Sequence, residues 1–328
     1  MVPNSVGARS RSARYLAAVA LSAGLALLTA CDRSPKAGDG DSAGAAAGSA
    51  ESDSIATIVT ASGWDTETGP FVVLPTVDGG MSAGSLLRPE ATELTVGDTV
   101  GVGRVAADGR LDLFSRSGKV GSARLTVEGA PTVERGCTAW PVARLTQQTS
   151  MSSSPTVGWT AAFAAGRITP IPLDSIEGLT PRDSARLAAD LTRLASALPD
   201  DTSQTFRGLP FVVLRAYRAR ALDTTFVVAT LARRVNQEAD PKEERLVMVV
   251  DAPGDDARNW NVAWHERAAG HEEELVVAEP LLAYRPTTSR DVHLLFGRDD
   301  GIALGAAVLA RGARGWRVQW ESAVAGCD

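Results

Sequence analysis

The sequence contains few of the residues that most often build catalytic and metal sites. Its 328 residues include three cysteines and three histidines. It has no P-loop, dinucleotide-binding glycine fingerprint, C-x-x-C pair or protein-kinase motif set. The classes of function that depend on these motifs therefore have no support in the sequence, and no residue pattern points to a cofactor.

An excess of positive charge is also absent. The chain has 33 basic and 39 acidic residues, and its formal net charge is −6. Nucleic acids and anionic lipid surfaces attract proteins through clustered lysine and arginine. Because no basic stripe is present, we expect no nucleic-acid partner.

The chain has no apolar run of membrane-spanning length near its N-terminus. The run at 15–30 contains 16 residues, whereas a spanning helix needs roughly 20. Three arginines and no acidic residue precede it, and small residues end it. This arrangement is typical of a secretory signal, so we predict a signal peptide over 1–30.

The end of this leader, Leu28-Thr29-Ala30-Cys31, resembles the lipobox of bacterial lipoproteins. The resemblance implies cleavage before Cys31, acylation of that cysteine, attachment to a membrane through the lipid, and a folded domain exported to the periplasmic or extracytoplasmic face. Residues 31–54 have almost no large apolar side chain, which predicts a flexible tether. An ordinary signal peptide with a chance cysteine is the alternative, and the choice between inner and outer membrane stays open.

Acylation of Cys31 would leave Cys137 and Cys327 as the two remaining cysteines. In an oxidising compartment such a pair favours a disulfide, which would close a loop of about 190 residues. Two separate buried thiols are the alternative.

The folded part reads as mainly β, in an antiparallel meander, barrel or sandwich-like arrangement. Residues 55–150 form short apolar segments broken by glycine, 151–208 read as a connecting segment with a helix, and 209–328 read as a meander. The connections are short, which favours antiparallel pairing. In the meander we predict strands at 211–219, 225–233, 245–251, 260–266, 275–285, 292–296, 302–311 and 316–322.

One amphipathic α-helix is predicted near 181–198. Thr180 can cap it, Pro181 suits its first turn, and Pro199 stops it. Leucines spaced by four, three and four residues place an apolar stripe on one face, at Leu187, Leu191, Leu194 and Leu198.

A short motif, W-x-V-x-W, occurs twice in the meander, about 56 residues apart. One copy contains Trp260 and Trp264, and the other contains Trp316 and Trp320. In a regular strand, period two would place both tryptophans of a copy on one face. That face could bind sugar or peptide, or it could fill the core beneath the sheet. We interpret the two copies as a duplicated β-unit.

Two patterns raise the prospect of catalysis. Ser82 lies in G-x-S-x-G, which resembles the nucleophile elbow of α/β-hydrolases, but Pro89 interrupts any helix after it. His265, His271 and His293 could supply a zinc or copper site, although they do not form H-E-x-x-H. We assign no catalytic residue and no metal ligand.

Taken together, these patterns predict a lipid-anchored protein of the cell envelope with a non-enzymatic role, either binding a ligand or serving as an assembly module for an envelope protein partner. The alternative is a hydrolase or metal-dependent enzyme that uses Ser82 or the three histidines.

Overall fold

The computed structural model describes residues 63–76, 82–89, 109–127, 137–150, 158–199, 204–235, 241–254, 259–271, 275–276, 278–299, 303–312 and 315–327. These residues all belong to one compact unit, Ser49–Asp328. The predicted signal peptide, Cys31 and the tether lie outside the described residues.

The described part of the chain confirms the mainly β fold with one α-helix. Six strands form a closed antiparallel barrel in the order β1-β2-β5-β4-β3-β6. Their bounds are β1 Val72–Pro75, β2 Ala83–Leu87, β3 Arg110–Ser115, β4 Gly118–Val127, β5 Val142–Ser150 and β6 Ala161–Ala164.

Ten further strands form two antiparallel sheets of five. The helix-covered sheet has the order β12-β11-β10-β9-β8, and the central sheet has the order β16-β15-β14-β13-β7. The strands of the helix-covered sheet are β8 Asp174–Ser175, β9 Val212–Ala221, β10 Thr224–Val235, β11 Lys242–Pro253 and β12 Asn261–His271. Those of the central sheet are β7 Ile168–Ile171, β13 Ala278–Pro286, β14 His293–Asp299, β15 Leu304–Gly312 and β16 Gly315–Glu321.

The eight strands predicted in the meander are therefore all present, and they divide into two consecutive four-stranded units, β9–β12 and β13–β16. Segment 151–208 contributes one strand to each of the three sheets, namely β6, β7 and β8. It is thus part of the sheets that it was expected to connect.

Alternating side chains join the sheets into layers. In β10, Phe226 and Val228 face the central sheet, whereas Val227 faces the α-helix. In the central sheet, Phe296 faces β10, and Leu295 packs with the barrel. The order of layers is therefore helix, helix-covered sheet, central sheet and barrel, because successive side chains in a regular stretch of strand point to opposite faces of the sheet.

The helix, α1, spans Pro181–Ala197, as predicted. Thr180 Oγ1 accepts a hydrogen bond from the Asp183 amide at 3.2 Å and donates to the Asp183 carboxylate at 2.8 Å. Leu187 and Leu191 are buried against the helix-covered sheet. None of the helices in the described ranges has the length and hydropathy of a membrane span.

The structure contains the predicted disulfide between Cys137 and Cys327, whose Cα atoms lie 4.0 Å apart. Beside it, the Thr138 amide donates to the Gly326 carbonyl oxygen at 2.8 Å. The segment that leads into β5 of the barrel is thereby joined to the chain that follows β16 of the central sheet.

Candidate functional site

The expectation that each W-x-V-x-W copy presents both tryptophans on one sheet face is wrong. In β12, Val262 lies opposite Val250 and Trp264 lies opposite Val249, so Ala263 is an extra residue. In β16, Val318 lies opposite Leu309 and Trp320 opposite Val308, which makes Gln319 the extra residue. Each extra residue forms a β-bulge, and a bulge changes the face onto which the following side chains point.

The four tryptophans consequently enter three different cores. Trp260 packs on the helix side of its sheet, Trp264 and Trp316 pack between the two sheets, and Trp320 packs toward the barrel. Trp260, Trp316 and Trp320 are 8%, 5% and 2% exposed. Neither copy therefore presents its two tryptophans on one face, and what the two copies share is a bulged edge strand.

The three histidines are divided between two sheets. His265 and His271 are exposed on β12 of the helix-covered sheet, whereas His293 lies on β14 of the central sheet and is 2% exposed. In the described parts of the chain, no group of three or more His, Cys, Asp or Glu residues is placed to hold a metal ion.

His293 is buried beside the ring of Tyr284, at 5.2 Å between ring centroids. Burial lowers the pKa of the His293 imidazole, and the nearby carboxylates of Asp65 and Asp291 partly oppose this effect. Burial also raises the pKa of the Tyr284 hydroxyl above its usual range. Among the described groups, His293 Nδ1 has no hydrogen-bond partner.

Ser82 is exposed and directly precedes a strand, β2. Its carbonyl oxygen accepts a hydrogen bond from the Leu145 amide at 2.7 Å. A nucleophile elbow needs a helix after the serine, and here the chain enters the barrel wall instead.

A different constellation occurs where the barrel, the central sheet and the helix-covered sheet meet. Arg116, in the β3–β4 turn, and Arg215, on β9, both contact Oε1 of Glu279 on β13, at 2.5 and 2.6 Å. Arg116 Nε also donates to the Pro280 carbonyl oxygen at 2.7 Å, and its guanidinium lies 5.2 Å from the ring centroid of Tyr217. The Arg116 side chain is thus held by three neighbours, whereas Arg215 is 61% exposed.

A cleft lies on each side of Glu279. The barrel-side cleft has a volume of about 250 Å³ and is lined by Leu74, Pro75, Arg116, Thr160, Glu279, Leu281, Gly297 and Leu304. The sandwich cleft has a volume of about 410 Å³ and is lined by Leu214, Arg215, Thr230, Arg245, Leu275, Ala278 and Glu279. The barrel-side cleft has mainly apolar walls with a few charged groups, which is the usual composition of a small-molecule site, whereas polar and charged groups form the larger part of the sandwich cleft.

The sandwich cleft is the open end of the space between the two sheets. Thr230 follows Val228 by two residues in β10, and Arg245 precedes Val247 by two in β11, so these side chains share the face of the buried core. Arg215 lies opposite Thr230 across the β9–β10 pair. The face of the helix-covered sheet that points toward the central sheet therefore changes from apolar to cationic at the sandwich cleft.

Arg245 is held by a second shared carboxylate. Glu243, 1% exposed, contacts Arg245 Nε at 2.5 Å and Arg234 Nε at 2.6 Å. A buried carboxylate requires such partners, because an unpaired buried charge is strongly unfavourable. Arg245 is thereby fixed at the wall of the cleft.

No pattern in the sequence indicated this site, because its parts are remote from one another along the chain. Arg116 and Glu279 are separated by 163 positions, and Arg215 and Glu279 by 64. No local spacing links these residues. Arginine accounts for almost all basic residues of the chain, so residue type does not single out Arg116 or Arg215. No protein-family model, curated protein or solved structure matches this chain.

Proposed function

We propose that this protein is an exported lipoprotein whose β domain binds a small ligand without transforming it. The observation that carries the binding role is the contact of Arg116 and Arg215 with one carboxylate oxygen, with a cleft on either side. Convergent charged groups on apolar walls fix the orientation of a ligand.

The arrangement of the candidate catalytic groups favours binding over the alternative of a hydrolase or metal-dependent enzyme. Nucleophilic catalysis needs a nucleophile and a base within hydrogen-bond reach of each other. Ser82 adjoins the barrel, His271 lies on the helix-covered sheet, and His293 lies buried in the central sheet. Arg116, Arg215 and Glu279 are suited to recognition of charge.

Two features support the envelope location. The leader and the lipobox-like Cys31 would attach the protein to a membrane, with 31–54 as the tether. The Cys137–Cys327 disulfide is of the kind that persists in oxidising compartments.

The anchor is tested by fractionation of cells that express the full chain. We expect the parent protein in the membrane fraction, with a mass that corresponds to an acylated N-terminus at Cys31. The Cys31→Ser variant should lack the lipid mass. An unmodified Cys31 in a protein that is released from the membrane would contradict the proposed anchor.

The binding role is tested by a thermal-shift screen of the full protein in phospholipid nanodiscs, against sugars, amino acids, short peptides and organic acids and bases. A hit should lose its effect in Arg116→Gln or Arg215→Gln but keep it in Arg193→Gln, which changes an exposed arginine of α1. The binding role at this site would be contradicted if no compound stabilised the protein, or if the thermal shift of every hit were unchanged in both Arg116→Gln and Arg215→Gln.

A further inference from the structure

We infer that the sandwich cleft takes a short aliphatic carboxylate, with Arg215 as the residue that moves to bind it; this inference rests on the proposed binding function. The charges at Glu279 do not balance. Two guanidinium groups share a single carboxylate oxygen there, so this cluster of three side chains carries one positive charge in excess.

The geometry allows Arg215 to leave Glu279 at little cost. Arg215 is 61% exposed, and exposed ion pairs of this kind contribute little to stability. When Arg215 turns into the cleft, Arg116 stays on the same oxygen of Glu279 and on the Pro280 carbonyl oxygen. The carboxylate of Glu279 therefore keeps Arg116 as a partner.

The cleft that Arg215 would turn into already presents a second guanidinium and a hydroxyl. Both lie on the interior face of the helix-covered sheet. Thr230 is on β10, which pairs with the strand of Arg215, and Arg245 is on β11, which pairs with β10 on its other side. A carboxylate that enters here meets donors from three adjacent strands. Charge-assisted hydrogen bonds of this kind are stronger than neutral ones.

The remaining walls are aliphatic, which favours a ligand whose uncharged part is aliphatic. Leu214, Leu275 and Ala278 line the cleft, and Leu214 is 40% exposed. Leu214 is the extra residue of a bulge in β9, because Arg215 lies opposite Thr230 and Val213 lies opposite the next residue, Leu231. A bulge of this kind re-aims a side chain, and here it leaves a large apolar group at the cleft mouth. A volume of about 410 Å³ suits a molecule of modest size.

The test measures binding of three probes to the full protein in nanodiscs by calorimetry, with empty nanodiscs as the blank. The probes are hexanoate, hexylammonium and inorganic phosphate. We expect hexanoate to bind more tightly than phosphate and hexylammonium not to bind. Arg215→Gln should weaken hexanoate binding about tenfold or more, as expected for the loss of one charge-assisted hydrogen bond.

Glu279→Gln tests whether Glu279 competes with the ligand for Arg215. It releases Arg215 from its carboxylate, so hexanoate should bind several-fold more tightly than to the parent. Arg193→Gln on α1 is the matched control for Arg215→Gln and should leave the affinity unchanged. Circular dichroism should show that all three variants retain the β fold.

Three outcomes would overturn the inference. They are preferential binding of hexylammonium, phosphate binding as tight as that of hexanoate, or a Glu279→Gln variant that binds hexanoate more weakly than the parent. If hexanoate fails while a screened compound of other chemistry binds through the cleft arginines, the ligand class is wrong and the proposed function stands. If neither binds, both are wrong.

Discussion

Trp316 and Trp320 lie four residues apart in β16, and their side chains enter different hydrophobic cores. Trp316 packs between the two sheets, with its ring centroid 5.2 Å from that of Phe226. Trp320 packs toward the barrel, edge-on to Trp64 at 4.7 Å, and donates from Nε1 to the Pro89 carbonyl oxygen at 3.0 Å. One bulged edge strand thus contributes to two layers of the protein.

The Trp64–Trp320 pair should show a measurable coupling energy. We expect the double-mutant cycle of Trp64→Leu and Trp320→Leu to give about 0.5–1.5 kcal/mol, the range for edge-to-face aromatic pairs. Urea denaturation of the four proteins provides the measurement. The cycle of Trp64→Leu and Trp316→Leu is the control, because these residues belong to different cores and should be additive. Equal coupling in both cycles would contradict the separation of the cores.

Gly63 should tolerate alanine much less well than Gly208 does. Both have positive φ, +72° and +81°, so alanine should cost about 1–2 kcal/mol at either position through backbone strain. A Cβ at Gly63 would also overlap the carbonyl oxygen of Gln319, the bulge residue of β16, whereas nothing lies within 4 Å at Gly208. We expect Gly63→Ala to lower the free energy of unfolding by at least about twice as much as Gly208→Ala. Equal losses in urea denaturation would show that Gly63 does not pack against the bulge.

Removal of the disulfide should lower stability substantially. Cys137 and Cys327 are 190 positions apart, and the chain-entropy argument gives about 5 kcal/mol as an upper value for a loop of that length. Urea denaturation with and without reductant measures the difference. The Cys137→Ser/Cys327→Ser variant should resemble the reduced parent and should not respond to reductant. An oxidised parent no more stable than this variant would contradict a stabilising cross-link.

His293 should make the protein less stable in mild acid. Burial lowers the pKa of its imidazole in the folded state, so the unfolded state binds the proton more readily. The stabilising contribution of the neutral ring is present above the unfolded pKa of about 6.5 and is lost as the pH falls below it.

The His293→Phe variant isolates this effect, because phenylalanine can occupy the space beside the Tyr284 ring. Between pH 8 and pH 5, the free energy of unfolding of the parent should fall more than that of the variant. The comparison at pH 8, where the histidine is neutral in both states, reports the packing change alone. Parallel pH profiles would contradict the role of His293.

Much of the local structure could be predicted from the sequence. The capping Thr180, the leucine stripe and Pro199 are local signals, and α1 lies where they predict it. The eight strands of the meander were found from runs of apolar residues between turns, because strand formation there follows a pattern within a few residues. The pairing of Cys137 with Cys327 was favoured because the predicted lipobox accounts for the third cysteine, Cys31.

The faces of the tryptophans and the site at Glu279 could not be predicted in this way. A single extra residue, Ala263 or Gln319, reverses the face of a strand, and nothing in its side chain marks it as the residue that the opposing strand leaves unpaired. Likewise, Arg116 and Arg215 reach Glu279 only because three sheets meet at that point.

The sequence by itself thus determined the helix, the strands of the meander and their antiparallel pairing, and it favoured the disulfide, since these depend on periodicity, short connections and a count of cysteines. Tertiary structure alone decided that the meander splits into two sheets, that its repeated tryptophans enter separate cores, and that two distant arginines share one carboxylate. These features depend on the register between strands. The sequence of one strand does not specify that register, because it depends on both strands.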